Sequence, residues 1–194
     1  MRVEAIVSSW DTRAVGSVQT LSEVERRVVA LWAADCAEHV LQLFETEAPL
    51  DAGPRELIAR ARAFACGEMD VAGEIRRRFV GTGSARAVST PAAVAAARAA
   101  GQAPGVAHMG AHALGAAAYA ARARGLSCPE RPEVIGEEIG WQLQHASRAA
   151  VAALLKLPPV GLDRSGPLGP GLLSTGQLGA IVSEIQSKLV AVSS

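Results

Sequence analysis

Aromatic residues are scarce in this 194-residue chain: three Trp, three Phe and a single Tyr make up 4% of it. Large rings therefore cannot fill the core, and tight packing of small side chains has to do so. Net charge is also missing, because nineteen basic and nineteen acidic residues cancel. That balance excludes the overall basic field expected of a nucleic-acid-binding protein. Cysteine is sparse: Cys36, Cys66 and Cys128 form an odd set with no zinc-ligand spacing, which points to a reduced, cytoplasmic protein without a disulfide framework. The opening MRVEAIVSSW lacks the apolar core and small-residue cleavage site of a secretory signal. Residues 103–121 carry no formal charge and are roughly one membrane span long. Ala and Gly insert weakly, however, and two His would be stranded, so no membrane association is expected. Period-two alternation and βαβ rhythm are both absent, which argues against a sheet.

What the chain does have is alanine. Nineteen of the 39 residues from 85 to 123 are Ala, the strongest helix former and a poor strand former. The expected fold is all-α, a compact multi-helix bundle or short helical-hairpin solenoid with an appended C-terminal helix. Residues 1–19 lack periodicity and read as an arm, with a short strand at 3–7. A capping box at Thr20 and Glu23 predicts a helix reaching about Glu45. Pro54 starts a helix that Gly67 closes after Cys66. Ser89-Thr90-Pro91 starts another, ended by Gly101. Further helices are expected over 104–124 and 131–157. Pro158-Pro159 opens a Gly/Pro-rich linker to 174, and a last amphipathic helix covers 175–192. Too short to fold alone, that helix reads as a docking or homodimer-forming arm.

The chemistry concentrates on two helical patterns. On the helix expected over 104–124, His108, His112, Gly115 and Tyr119 fall on one face of an otherwise small and apolar surface. Buried imidazoles and a phenol need hydrogen-bond partners. Asp35, Glu38, His39 and Gln42 share a face of the first helix and could supply them. The His pair also matches half of a zinc or di-iron ligand set, but the Glu-x-x-His motif of di-iron bundles is missing, so no metal is assigned. The second pattern is Glu138, Trp141, Gln142 and His145, on one face of the helix over 131–157 beside Glu137. Adjacent Glu residues at a helix start act mostly as dipole complements, and a lone Trp mostly belongs to a core.

The remaining candidates are weaker. Arg76-Arg77-Arg78 has only Phe79 as an aromatic neighbour and reads as a solvated face. Gly81 and Gly83 are followed by no Lys-Ser/Thr pair, so they form no phosphate loop. No nucleophile elbow is present, and no cofactor motif.

The string from Leu31 to Glu45 (LWAADCAEHVLQLFE) resembles the opening helix of a bacterial family of immunity proteins, the fifth-type immunity-like group associated with polymorphic toxin systems. The resemblance continues through PRELIARARAFACGE at 54–68, the Ala-rich stretch at 91–123 and Trp141-Gln142, and ends near Leu157-Pro158. Its specific parts are Asp35-Cys36-Ala-Glu38 and His108-x-x-x-His112-Ala-Leu. Some relatives carry an exonuclease label, yet this chain has no nuclease carboxylate cluster. The segment 81–89 fits poorly, and the chain after Pro159 looks like an addition. The division that follows is an arm at 1–19, a helical immunity-like domain at 20–158, and linker plus docking helix at 159–194.

The resemblance implies a non-catalytic immunity or self-resistance protein that sequesters a cognate toxin or a toxic small molecule. The residues expected to bind are Asp35 and Glu38 as acceptors, His108, His112 and Tyr119 opposite them, and Trp141 closing a buried polar pocket. Two alternatives use the same residues. One is an acid–base enzyme with His112 as base, oriented by Asp35. The other is a metal-binding bundle using His108, His112 and Glu38.

Overall fold

The computed structural model describes residues 17–76 and 83–193. The strand expected at residues 3–7, and Arg77, Arg78, Phe79 and Gly81, lie outside the described residues. Among the described residues there are helices and no strands: α1 (Glu23–His39), α2 (Leu41–Glu45), α3 (Gly53–Ala65), α4 (Val71–Arg76), α5 (Pro91–Gln102), α6 (His112–Ser127), α7 (Val134–Gln144), α8 (Arg148–Leu154) and α9 (Gly176–Ser193). Short 3-10 turns at Val18–Thr20, Ser84–Arg86, Ala103–Ala107 and Leu172–Ser174 connect them. No helix among the described residues is long and apolar enough to cross a membrane.

Helix α6 is the axis of the molecule. Every residue from 113 to 121 is buried, and α1, α5, α7 and α9 all pack against it. Alanine makes this possible, since side chains one carbon long let helix backbones approach closely on every side. The apolar face of α9 (Leu178, Ile181, Val182, Ile185 and Leu189) is buried in the same hydrophobic cluster as α6. The C-terminal helix thus docks on its own chain.

Several expected boundaries hold, each where the signal is a local one. Gly67 adopts φ 82° after α3, and its amide and that of Glu68 return to Phe64 O (3.1 Å) and Ala63 O (2.9 Å), a Schellman closure. Thr90 caps α5 with Pro91 in the first turn.

Four boundaries differ from expectation. The helix expected to reach about Glu45 ends at His39, where Val40 leaves helical geometry (φ −111°, ψ 1°), and α2 follows as a separate turn. The capping box of α1 is Ser22 with Glu25, not Thr20 with Glu23; the Thr20 carbonyl instead accepts from Gly110 N at 3.1 Å. That pairing, with Ala111 N on Gln19 O at 3.0 Å, interrupts the helix expected over 104–124. The amides of 110 and 111 are spent on the N-terminal segment. Leu21 occupies the space a side chain at Gly110 would need, 2.5 Å from an ideal Cβ. The helix expected over 131–157 likewise divides into α7 and α8. Ser147 takes extended backbone (ψ 156°) and its hydroxyl accepts from Ala150 N, so a new helix starts there.

The Gly/Pro stretch after α8 is anchored at several points. Buried Gln19 donates through Nε2 to Asp163 Oδ2 and Ser165 O, both at 2.6 Å, and accepts from Leu168 N at 3.0 Å. Gln186 of α9 holds the other end, donating to Pro158 O (2.9 Å) and accepting from Val160 N (3.0 Å).

Candidate functional site

Where α1 meets α7, two polar patterns interlock. Trp32, Cys36 and His39 recur at i, i+4 and i+7 on α1 and face Glu138, Trp141 and Gln142 on α7. The Trp32 indole donates to Gln142 O at 2.8 Å. The Gln142 side chain, fully buried, donates through Nε2 to Ala117 O of α6 (3.1 Å) and to Glu138 Oε1 (3.0 Å). Glu138 is only 3% exposed. Its other oxygen lies 2.9 Å from His39 Nδ1 and 3.9 Å from Arg124 Nε. A carboxylate taken out of water needs such compensation, since unpaired burial of the charge would cost several kcal/mol or more.

Above this buried carboxylate stands an aromatic ladder. The His39 ring stacks on Trp141 with centroids 3.6 Å apart and planes within 6°, and His145 covers the opposite indole face at 4.1 Å and 25°. Each imidazole is tied at Nδ1, His39 to Glu138 and His145 to Trp141 O at 2.8 Å. The three rings are therefore fixed in place, although His39 and His145 are exposed. Beneath them Cys36 is fully buried. Burial first, then the charges of Glu138 and Asp35, pushes its thiol well above the ordinary range, so it is protonated and inert at neutral pH.

The other expected residues fall in three places. Asp35 and Glu38 both accept from Arg62 Nη2 of α3, at 2.8 and 2.5 Å. Hydrogen bonding to Arg62 holds the Glu38 carboxyl below its usual range. Glu38 and Arg62 also border a groove of about 370 Å³ with Arg55, Ile58 and Cys66. His108 and His112 lie at a separate cleft, between α3 and the α5–α6 junction, with ring centroids 5.0 Å apart. Among the described residues lining that cleft, Asp35, Glu38, Tyr119 and Trp141 do not occur. Tyr119 is buried in the core with the Arg98 guanidinium 5.9 Å from its ring. The structure thus brings Asp35, Glu38 and Trp141 to one side of α1 and leaves the two histidines and the tyrosine elsewhere. No group of three or more His, Cys, Asp and Glu side chains among the described residues could hold a metal ion.

His39, Glu138, Gln142 and His145 join the site although the expected pocket did not include them. Each stood in one of two polar faces seen in the sequence. The signal that could have joined them is that both faces lie on otherwise apolar helices, so each requires a polar partner.

A family model described as "Imm-5 like putative immunity protein" matches residues 19–149. The chain belongs to this family. Neither a curated protein nor a solved structure matches it. In this Imm-5 like chain the matched region holds α1 to α7 and the start of α8, so both halves of the ladder lie within the family domain. Helix α9 lies beyond it.

Proposed function

We propose that this chain is a non-catalytic immunity protein that binds and sequesters a toxin, and that the exposed strip of α1 with the α7 ladder is the face it uses. Family membership supports the class of function. The observation that carries the choice of face is the ladder itself, an aromatic stack held rigid over the buried Glu138 carboxylate and open to solvent along its edge. Rigid aromatic groups lose little freedom on binding and dominate the energetics of protein interfaces. The same strip presents Leu31, 46% exposed, and the Asp35/Glu38–Arg62 cluster. That combination supplies an apolar centre with a charged rim. Because the polar residues of the strip are committed to one another, the face is better suited to recognition by shape than to proton transfer.

The test is binding to a candidate polymorphic toxin and protection of cells that express it. Trp141→Ala should weaken toxin binding about 30-fold, the ~2 kcal/mol of an aromatic hot spot, and His145→Ala, an exposed position, should weaken it less. Leu172→Ala, 71% exposed and outside the strip, should protect as the native chain does. If natively folded Trp141→Ala and His145→Ala proteins both bind and protect fully, the α1–α7 face is not the binding face.

A further inference from the structure

The chain is neutral as a whole, but its charges are not evenly paired. Arg62 serves two carboxylates at once, Asp35 at 2.8 Å and Glu38 at 2.5 Å. Arg131 does the same, with Glu133 at 2.9 Å and Glu137 at 2.8 Å. By contrast, Arg27–Glu23 and Lys188–Glu184 are one-to-one pairs. Both shared arginines stand beside the aromatic ladder, since Asp35 lies one turn before His39 on α1 and Glu137 one turn before Trp141 on α7. Each cluster therefore carries one negative charge in excess, and all of its side chains are at least 35% exposed. Asp35, Glu38 and Glu137 each give one oxygen to their arginine. Their second oxygens, Oδ2, Oε1 and Oε2, accept from no described residue. Both faces of the Trp141 indole are covered by imidazoles. A cation cannot settle over that ring, so the carboxylates are what it meets.

We infer that the surface received by this face is cationic, a protein segment with at least two Arg or Lys side chains, one for each arginine-sharing carboxylate pair, and apolar groups between them against the ladder edge. The inference rests on the α1–α7 face being the toxin-binding face. A guanidinium or ammonium group is the donor that an unbonded carboxylate oxygen takes best. An acidic surface would set like charges together, and a neutral one would leave the excess uncompensated. Because the carboxylates are exposed, they act chiefly on association rate and partner choice, and salt screens them.

The first experiment needs no toxin. The labelled full chain is titrated with hexa-arginine at pH 7 and low salt, where surface charges are screened least, and followed by NMR. The amides of Asp35, Glu38 and Glu137 and the indole N–H of Trp141 should move together and saturate, while the amides of Glu23 and Glu184 stay in place. Glu38→Gln combined with Glu137→Gln should weaken binding about tenfold. Glu23→Gln combined with Glu184→Gln removes the same charge from one-to-one pairs and should leave binding unchanged. The second experiment measures association with a candidate toxin as salt is raised. Its rate constant should fall about tenfold from low to physiological salt, and the Glu38→Gln, Glu137→Gln chain should lose most of that dependence. The inference is overturned if hexa-arginine moves resonances over the whole surface, or if the two double variants bind it alike. It also falls if a toxin that loses affinity for Trp141→Ala associates at a rate indifferent to salt and to both carboxylates, an outcome that leaves the α1–α7 face standing as the binding face. Full toxin binding by Trp141→Ala and His145→Ala removes the face itself, and the inference with it.

Discussion

Because burial, helped by the charge of His108, holds His112 at about 4 against a reference of 6.5, the folded protein refuses a proton that the unfolded chain accepts. Between those values the unfolded state binds more protons, so stability is full above pH 6.5 and falls as pH drops towards 4. For a partly exposed ring the loss should be about 2–3 kcal/mol. Urea unfolding at pH 7 and pH 4.5 checks this: the native chain should lose most of that amount, whereas His112→Gln should lose much less. A parallel fall in both proteins would mean that His112 does not set the acid sensitivity. Glu25 acts in a lower window. Its hydrogen bonds to Lys156 and then Ser22 hold it at about 2 against 4.5, so its contribution is present above pH 4.5 and lost as pH falls towards 2. The two residues can therefore be separated by pH alone.

At the scale of elements, the sequence was legible where one residue's chemistry decides an end, and illegible where a distant strand of chain decides it. Gly67 and the Thr90-Pro91 start act through their own backbone and hydroxyl, and both ends fall as expected. The break before His112 depends on carbonyls of residues 19 and 20 reaching Gly110 and Ala111, which no local pattern announces. The loop after Pro158 read as a linker for the same reason, since its Gly/Pro composition is loop-like while its anchor, Gln19, sits far away in the chain. Gln19→Ala tests that anchor. It removes three hydrogen bonds and leaves the Leu168 N–H buried without its acceptor, a change that should cost about 2–3 kcal/mol. Limited proteolysis should then cut within residues 159–171 well before the helices are lost. An unchanged cleavage pattern would show that α9 alone holds the loop.

For the molecule as a whole, the all-α class followed from alanine content and the missing alternation, but the site did not, because it is made where two helices meet. Asp35-Cys36-Ala-Glu38 and Trp141-Gln142 each drew attention, yet only packing decides that His39 rather than His112 faces the buried carboxylate. The same dependence on assembly governs the C-terminal addition. The family match ends at residue 149, while Leu178, Ile181, Val182, Ile185 and Leu189 of α9 lie in the one core cluster that also contains α6. At about 1.5–3 kcal/mol for each large apolar side chain buried, removing α9 forfeits about 7–15 kcal/mol, comparable to the whole stability of a domain this size. A chain ending at Pro158 should therefore show no cooperative thermal transition and should expose apolar surface to a dye such as ANS. Co-expression with residues 159–194 as a separate fragment should restore the transition, because the lost term is packing rather than connectivity. A cooperative melt within a few degrees of the full chain would mean instead that α6 is covered without α9, and that the family domain is complete in itself.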